Sequence, residues 1–394
     1  MKEGLEYIAL SSVCKVQNGF AFNSKLFNET NKGLPLIRIR DIKRGYSLTY
    51  TDVACSNDFY VEDGDMLIGM DGDFNIGEWK GGHALLNQRV CKLIPSDKIL
   101  AKFIFYFIPE ALQRINDKTA FSTVKHLSSK QVNAILLPNL PLSEQQSIVD
   151  YLDSAFAKID AMKANAEKNL NEAKALFQAS LKEMLEPKEW WEEKKLKEIC
   201  ETITDFVAAG SFASLRENVV YKNEKDYAQL VRTTDLKSGF SKGGCVYVNE
   251  HAFEYLYRVN LDKECIILPN VGVNCGEVYY VTPSILPYNN NVLGPNAVLV
   301  RSNNNNNHFL SYLFLGKDFQ NKLSDITSHM AQPKFNKTSL KEIVVLVPPH
   351  SEQQSIVATL DSLKSKVDRL QANYDRISQE CDALKQSILR QVFE

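Results

Sequence analysis

The chain has 394 residues, 44% of them hydrophobic, with 46 Lys and Arg against 48 Asp and Glu, for a formal net charge of −2. That is enough apolar material for two ordinary cores, and the near-neutral balance excludes a chain whose whole surface attracts nucleic acid. The 8 cysteines are scattered with no Cys-x-x-Cys, which argues for reduced thiols in a cytoplasm and against a zinc ribbon or disulfide framework.

The first segment, residues 1–142, reads as a globular domain of short strands. Leu36-Ile37-Arg38-Ile39-Arg40-Asp41-Ile42-Lys43 is followed by Gly45-Tyr46, the glycines of Gly64–Gly82 are spaced as turns, and Phe103, Phe105, Tyr106 and Phe107 suit a core. The longest apolar run, near Ile99–Ile108, is too short to span a bilayer and is interrupted by Lys102. Met1-Lys2-Glu3 leads into no secretory core. A helix-forming tract follows over 143–186 and stops before Pro187. Residues 187–195 form a linker to a second domain, 196–350, and a second helix tract fills 351–394.

The two domains are distant relatives. Leu230-Val231-Arg232-Thr233-Thr234-Asp235-Leu236-Lys237 with Gly239-Phe240 matches the first-domain stretch, Asn274–Glu277 matches Asn75–Glu78, and Leu196–Cys200 matches Leu10–Cys14. The helix tracts are closer still. Each opens on Ser-Glu-Gln-Gln-Ser-Ile-Val, at Ser143–Val149 and Ser351–Val357, two residues after Pro141 and Pro349. Ser143 with Gln146, and Ser351 with Gln354, have the spacing of a capping box. Behind the caps runs an apolar seam of alternating steps of four and three. It reads Ile148, Leu152, Ala155, Ile159, Met162, Ala166, Asn169, Ala173, Leu176 in the first copy, broken at Ser180. In the second it reads Ile356, Leu360, Leu363, Val367, Leu370, Tyr374, Ile377, Cys381, Leu384, Ile388. One register sustained this long predicts a coiled coil. An antiparallel pair of roughly 60 Å, at about 1.5 Å per residue, avoids the long return path that a parallel pair demands. The expected fold is α+β (mixed α/β), two globular domains with two long helices and a pseudo-two-fold internal repeat.

No nucleoside-triphosphate loop, nucleophile elbow or His-Glu-x-x-His helix occurs, and the histidines have no metal spacing. Pro348-Pro349 lacks the neighbours of an amino-methyltransferase motif. Asp63, Asp65, Asp71 and Asp73 lack the spacing of a calcium loop and read as turn and strand-edge carboxylates. The expectation is a chain without catalysis, cofactor or metal of its own. The helix tracts carry 5 basic against 8 acidic residues and 6 against 7, whereas residues 1–142 carry 17 against 15. Any DNA contact therefore falls to local loops, with other subunits supplying much of the phosphate neutralisation.

Gly19-Phe20-Ala21-Phe22, Leu34–Ile42, Asp63-Gly64-Asp65-Met66-Leu67-Ile68, Asn87-Gln88-Arg89-Val90 and the two Pro-x-Ser-Glu-Gln-Gln helix entrances together resemble the specificity subunits of type I restriction–modification systems, over nearly the whole chain. The resemblance implies two target-recognition domains held by an antiparallel coiled coil, each reading one half of a split double-stranded DNA sequence, with the coiled coil setting the spacer. It implies cytoplasmic partners and no membrane: two modification subunits that bind S-adenosylmethionine and methylate adenine, and restriction subunits that use ATP and Mg to translocate and cut. The second domain lacks the Gly-Phe-Ala-Phe and Asn-Gln-Arg-Val stretches, and the seam weakens at Asn169 and Ser180, which leaves room for a partner helix.

Base readout needs Arg, Lys, Asn, Gln and small polar groups on loops. In the first domain the candidates are Asn23, Ser24, Lys25, Arg38, Arg40, Asn87, Gln88, Arg89 and the Ser122–His126 stretch with Thr123, Lys125 and His126. In the second they are Arg232, Thr233, Thr234, Asn270, Asn274, Asn289, Asn290, Asn291 and the Ser328–Lys334 stretch with His329, Gln332 and Lys334. Arg38 and Arg232 share one scaffold position, which suits a phosphate or an internal carboxylate, Asp41 or Asp235, better than a base. Asn87-Gln88-Arg89 has no clear counterpart in the second domain, which reads Gly294-Pro295-Asn296 in that neighbourhood, and is either a recognition element or a difference in strand termination. The Asn303–Asn307 run reads as a solvated loop. The competing function is a protein-binding scaffold whose coiled coil spaces two domains, without sequence preference for DNA.

Overall fold

The computed structural model describes residues 6–72, 74–118, 125–328 and 332–393. They form two compact units: Met1–Glu167 with Asn373–Glu394, and Lys168–Ala372. The two long helices, Leu142–Met184 and His350–Phe393, each run through a unit boundary.

The units repeat one topology. In the first, an antiparallel sheet has the strand order Cys14–Asn18, Val90–Pro95, Met66–Gly69, Asn75–Glu78. Beside it lies a sheet whose central pair, Leu34–Ile37 and Ala84–Leu86, is parallel. In the second unit the same roles fall to Thr202–Asp205, Ala297–Arg301, Cys265–Pro269 and Tyr279–Val281, and to the parallel pair Ala228–Val231 and Asn291–Leu293. Parallel strands are covered on both faces, and the burial follows: Ala84–Leu86, Ala228–Val231 and Asn291–Leu293 are buried at every residue. A two-stranded ribbon closes each unit, Tyr7–Ala9 on Leu136–Pro138 and Glu192–Lys195 on Val344–Val347. The stretch expected as linker thus re-enters the sheet at Glu192.

Within each unit the helix segments run antiparallel. In the first, Lys385 Nζ reaches Asp160 Oδ1 at 2.5 Å and Lys163 Nζ reaches Asp382 Oδ1 at 3.4 Å, so the numbering descends along one helix as it rises along the other. In the second, Lys174 Nζ donates to Gln371 Oε1 at 2.8 Å. The second helix buries Ile356, Leu360, Val367 and Cys381 of the expected seam and half-buries Leu363, Leu370, Tyr374 and Ile377, but Leu384 is 47% exposed. The first helix departs further: Met162 and Leu176 are 59% and 58% exposed. Asn169 is exposed too, and Val149, Leu170 and Phe177 take the burial one residue later. The reason is a second neighbour. Phe156 packs edge-on against Tyr106, and Phe177 lies tilted against Tyr312, so the buried stripe must face globular core as well as the partner helix and is wider than a strict two-position seam.

The repeated heptapeptide has a different physical role from the expected cap. The helices begin at Leu142 and His350, and the Pro141 and Pro349 carbonyls accept the opening bonds from Glu144, Gln145, Glu352 and Gln353. Ser143 and Ser351 therefore sit inside the first turn, and Gln146 donates along the helix to Asp150 at 2.8 Å. The preceding glutamine is the one that matters. Gln145 and Gln353 are each 2% exposed. Gln145 Oε1 accepts from Leu100 N at 2.9 Å, and its Nε2 donates to the Leu140 and Lys98 carbonyls at 2.8 and 3.2 Å. Gln353 Oε1 accepts from Asn306 N at 2.9 Å, and its Nε2 donates to the Pro348 carbonyl and Asn305 Oδ1, each at 3.0 Å. The Asn303–Asn307 run therefore divides: Asn303 and Asn304 are exposed as a solvated loop, whereas Asn305–Asn307 form a socket in which Asn306 Oδ1 caps the helix Asn307–Leu315 and Asn307 is 3% exposed.

A second clamp follows two turns on. Tyr106 donates to Asp153 Oδ1 at 2.5 Å, and Tyr312 to Asp361 Oδ1 at 2.7 Å.

Replacing Gln145 with Leu strands a buried amide hydrogen and two carbonyls at about 1–3 kcal/mol each where no water replaces the partner. The expected loss is about 3 kcal/mol from the first unit, read as a lowered denaturant midpoint of its unfolding transition. Burial raises the Asp153 pKa, but hydrogen bonds from Lys102 and Tyr106 outweigh it and leave the carboxyl below its ordinary value. A group depressed in this way contributes stability that is present above the unfolded pKa near ~4 and lost as pH falls through the folded value. The melting-temperature gap between the natural chain and Asp153→Asn should hold from about pH 7 to 5 and close below about pH 4.

Candidate nucleic-acid interface

Four sequence-distant segments meet at one edge of each unit. In the first unit the parallel strands end together, because Ile37 pairs with Leu86, and so release Arg38–Arg40 and Asn87–Arg89 at the same end. Gly69 joins them: a Cβ there would lie 3.0 Å from Ile39 Cγ2. After Gly69, Met70 N bonds to Arg89 O at 3.0 Å, and the chain pairs with the fourth segment through the Asp71–His126 bridge and the hydrogen bonds Gly72 N to Lys125 O and Leu127 N to Met70 O at 2.9 and 2.7 Å.

The second unit repeats this. Val231 pairs with Leu293, releasing Arg232–Thr234 and Gly294–Asn296. Val271 bridges Lys334, and Asn270 N, Gly272 N and Phe335 N bond to Asn296 O, Pro333 O and Asn270 O at 3.1, 2.9 and 3.1 Å. Asn87–Arg89 and Gly294–Asn296 are therefore the same loop with different residues, and the apparent gap in the second domain is a substitution.

The side chains divide clearly. Gln88 and Arg89 are exposed at the edge. Arg89 Nε lies 3.3 Å from Asp71 Oδ2, His126 Nδ1 lies 2.6 Å from Asp71 Oδ1, and Arg89 Nη1 lies 3.3 Å from the same His126 nitrogen. Asn87 is half-buried, its Oδ1 accepting from Gln88 N at 2.9 Å, and the Gly19-Phe20 backbone crosses it so closely that a Cβ on Gly19 would stand 2.0 Å from its carbonyl oxygen. Lys125 points its ammonium at the Asn116 carbonyl, 2.9 Å away. Arg38 donates its backbone N–H to the buried Asp41, which also pairs with Arg44, and leaves its own side chain exposed. Arg40 is exposed, 3.5 Å from Thr49 Oγ1. In the second unit Arg232 closes a fork on Asp235 at 2.9 and 2.6 Å and donates to the Gly244 carbonyl at 2.9 Å, so its guanidinium serves the scaffold. Thr234, Gln332 and Lys334 are exposed and Thr233 is half-buried, whereas Asn270 keeps a buried Oδ1 without a partner among the described residues. A cavity of about 390 Å³ adjoins them, lined by Phe206, Phe212, Tyr221, Asn270, Val271 and Asn296, with Phe212 80% exposed.

Other candidates lie elsewhere. Asn23–Lys25 form an exposed turn beside the parallel-strand sheet, with Asn23 Oδ1 capping Lys25 N at 3.1 Å. Asn289, Asn290 and Asn291 sit at the opposite end of the parallel pair from Arg232, because Asn291 opens the strand that Leu293 ends. Asn291 is 5% exposed and donates to the Tyr288 carbonyl at 2.6 Å, which withdraws it from any ligand. Asn274 Oδ1 accepts from Lys237 at 2.7 Å. Thr123 and His329, with Ser122, Val124, Met330 and Ala331, lie outside the described residues.

The acidic run resolves into separate duties. Asp63 Oδ1 accepts from Gly82 N at 2.7 Å, Asp65 Oδ2 pairs with Lys92 at 3.1 Å, and Asp71 orients Arg89 and His126. Asp73 lies outside the described residues. Among those described, no group of three His, Cys, Asp or Glu could hold a metal ion, and no helix is long and apolar enough to cross a membrane. The cysteines are free, and burial pushes the thiols of Cys91, Cys200 and Cys265 up to about 12, far from a reactive thiolate.

Asp71 is the member of this edge that sequence reading did not place. Only the pairing of Met70 with Arg89 and of Asp71 with His126 brings it there, and no local pattern encodes those contacts.

The Escherichia coli specificity subunit of the type I restriction enzyme EcoBI is 44% identical over 161 residues, 41% of this chain and 34% of that protein. The EcoAI specificity subunit, also from E. coli, is 27% identical over 179 residues, 41% of this chain and 30% of the relative. Each match thus spans about a third of the relative's length. Among solved structures, one described as giving the structural basis of complex assembly and conformational transition of the type I R-M system superposes with a TM-score of 0.72 at 17% identity, over 100% of this chain and 98% of that one. The HsdS subunit of Thermoanaerobacter tengcongensis superposes with a TM-score of 0.54 at 16% identity, over 100% and 97%. These two share the fold. The family model for the type I restriction modification DNA specificity domain matches residues 2–172 and 188–379, one match for each repeat, and the chain belongs to that family.

Proposed function

We propose that this chain is the sequence-reading subunit of a type I restriction–modification assembly, in which each unit reads one half of a bipartite double-stranded DNA target and the helix pair sets the spacer. Two modification subunits supply S-adenosylmethionine-dependent adenine methylation. Restriction subunits supply ATP- and Mg-dependent translocation and cleavage. The chain itself contributes recognition and no catalysis.

The supporting observation is the paired edge. The same four segments meet in both units, held by the same backbone bonds, yet Asn87-Gln88-Arg89 is replaced by Gly294-Pro295-Asn296, Asp71 by Val271 and His126 by Lys334. Two readers of different half-sites need this combination of a common frame and divergent side chains.

The test is to co-express the chain with its methyltransferase partner and map methylated adenines. A split motif with a fixed gap is expected, and exchanging residues 1–142 for those of another family member should change one half alone. A continuous motif, or no chain-dependent methylation beside an active partner, favours the protein-binding scaffold. Adding one heptad to both helix tracts lengthens the pair by about 10 Å, or about three base pairs at 3.4 Å per step. The recognised gap should lengthen accordingly, and a gap that does not move defeats the spacer role.

A further inference from the structure

We propose that the first unit recognises a guanine through the terminal nitrogens of Arg89, and that Asp71, assisted by His126, is the positioning residue that aims them. The inference rests on the DNA-reading function proposed above.

The three side chains come from three separate segments, and each segment is fixed by backbone bonds before any ligand arrives. The Arg89 carbonyl accepts from Met70 N at 3.0 Å, and Val90 N closes the turn onto Asn87 O at 2.9 Å. His126 pairs with Asp71 as a β-bridge, flanked by the Gly72–Lys125 and Leu127–Met70 bonds at 2.9 and 2.7 Å. Little conformational freedom is left to lose on binding.

Within that frame the protonation pattern follows from geometry. One ring nitrogen cannot donate to Asp71 and accept from Arg89 at once. The shorter contact, 2.6 Å, assigns the Nδ1 proton of His126 to Asp71 Oδ1. Asp71 Oδ2 faces Arg89 Nε at 3.3 Å. With the Asp71 carboxylate set beside Nε, the two terminal nitrogens form the working fork, and the Arg89 side chain is still 52% exposed while Asp71 is 24% exposed.

The carboxylate decides what the fork can take. A phosphate attracted to Arg89 is repelled by Asp71 a few ångströms behind it, whereas a base edge carries no net charge and escapes that penalty. Among base edges, guanine offers two adjacent acceptors, O6 and N7, matched to a guanidinium fork. A fixed, half-screened arginine therefore favours guanine over the backbone. The second unit has Val271, Asn296 and Lys334 at the corresponding positions, so the requirement falls on one half-site only.

The experiment uses the complex of this chain with its methyltransferase partner. The half-site of the first unit is assigned by the exchange of residues 1–142, and each of its guanines is replaced in turn by 7-deazaguanine, which lacks the N7 acceptor. One replacement should weaken binding of the natural complex by about tenfold, within the range for a bidentate base contact. Arg89→Ala should bind natural DNA about tenfold more weakly and be indifferent to the replacement. Arg89→Lys, which keeps the charge but loses the fork, should remain as indiscriminate as Ala. Asp71→Asn should relax preference at that position alone, without a steeper loss of affinity in salt. A first half-site without guanine, a 7-deazaguanine effect that survives Arg89→Ala, or full discrimination by Arg89→Lys overturns the proposal while leaving sequence-specific reading intact. A natural complex with no sequence preference overturns both.

Discussion

Each unit hangs on one buried amide. Gln145 and Gln353 each accept one backbone N–H and donate to a carbonyl three residues before the heptapeptide, at Leu140 and Pro348. A glutamine amide carries both donors and an acceptor on one planar group, so it ties the incoming chain, the loop ahead of the following domain helix and the first turn of the long helix at a single point. Glutamate would bring a charge into a site with 2% exposure, and leucine would leave both backbone partners unsatisfied. The Tyr106–Asp153 and Tyr312–Asp361 bonds then fix the rotation of each helix two turns further on. With both anchors in place, each domain has one orientation on its own stretch of helix.

That constraint frees the far edge to vary. The Arg38–Asp41 and Arg232–Asp235 turns build the same bend with a backbone N–H bonded to a buried carboxylate at 2.9 Å in both units. Their arginines differ, however: Arg232 folds back onto Asp235, whereas in the first unit Arg44 neutralises Asp41 and Arg38 stays outside. A shared scaffold position therefore does not mean a shared role. The loop after each parallel pair shows the same freedom. Its backbone bond to the neighbouring hairpin survives, from Met70 to Arg89 and from Asn270 to Asn296, while its side chains change entirely.

What could be read from the sequence divides along the range of the interactions. The helices, their pairing and the doubling of the domains follow from periodicity and repetition, which are local signals. The details of the helix entrance did not follow, because the Ser-x-x-Gln spacing drew attention to Gln146 and away from the neighbouring Gln145, whose partners at Leu100 and Lys98 are distant in sequence. Met162 and Leu176 misled for a related reason: a strict heptad seam presumes that the partner helix is the only apolar neighbour, and here Tyr106 and Tyr312 are neighbours too. The asparagines divided by burial. Asn291 and Asn307 have polar side chains of the kind usually found in solvent, yet each is enclosed and bonded within the second unit. Asp71 was the hardest to place, since its meaning comes from two strand pairings and none of its chain neighbours.

Internal ion pairs limit what the edges can contribute to affinity. Several cations beside or beneath them are already committed: Arg232 to Asp235, Lys237 to Glu277, Lys337 to Asp205 and Lys125 to a helix carbonyl. A charge paired within the protein must break or share that contact before it displaces counterions from DNA, so it adds little to the salt-dependent attraction that dominates such binding. The groups still exposed at the edges, among the described residues Arg38, Arg40, Gln88, the Arg89 fork, Thr234, Gln332 and Lys334, mix cations with neutral side chains and suit base edges more than a run of phosphates. Under the proposed function, discrimination and affinity are then separate properties: the edges of this chain provide the first, and the second depends on positive surface brought by the subunits around it. A reader built this way gains from weak adhesion on its own, since a strongly cationic edge would hold every sequence equally.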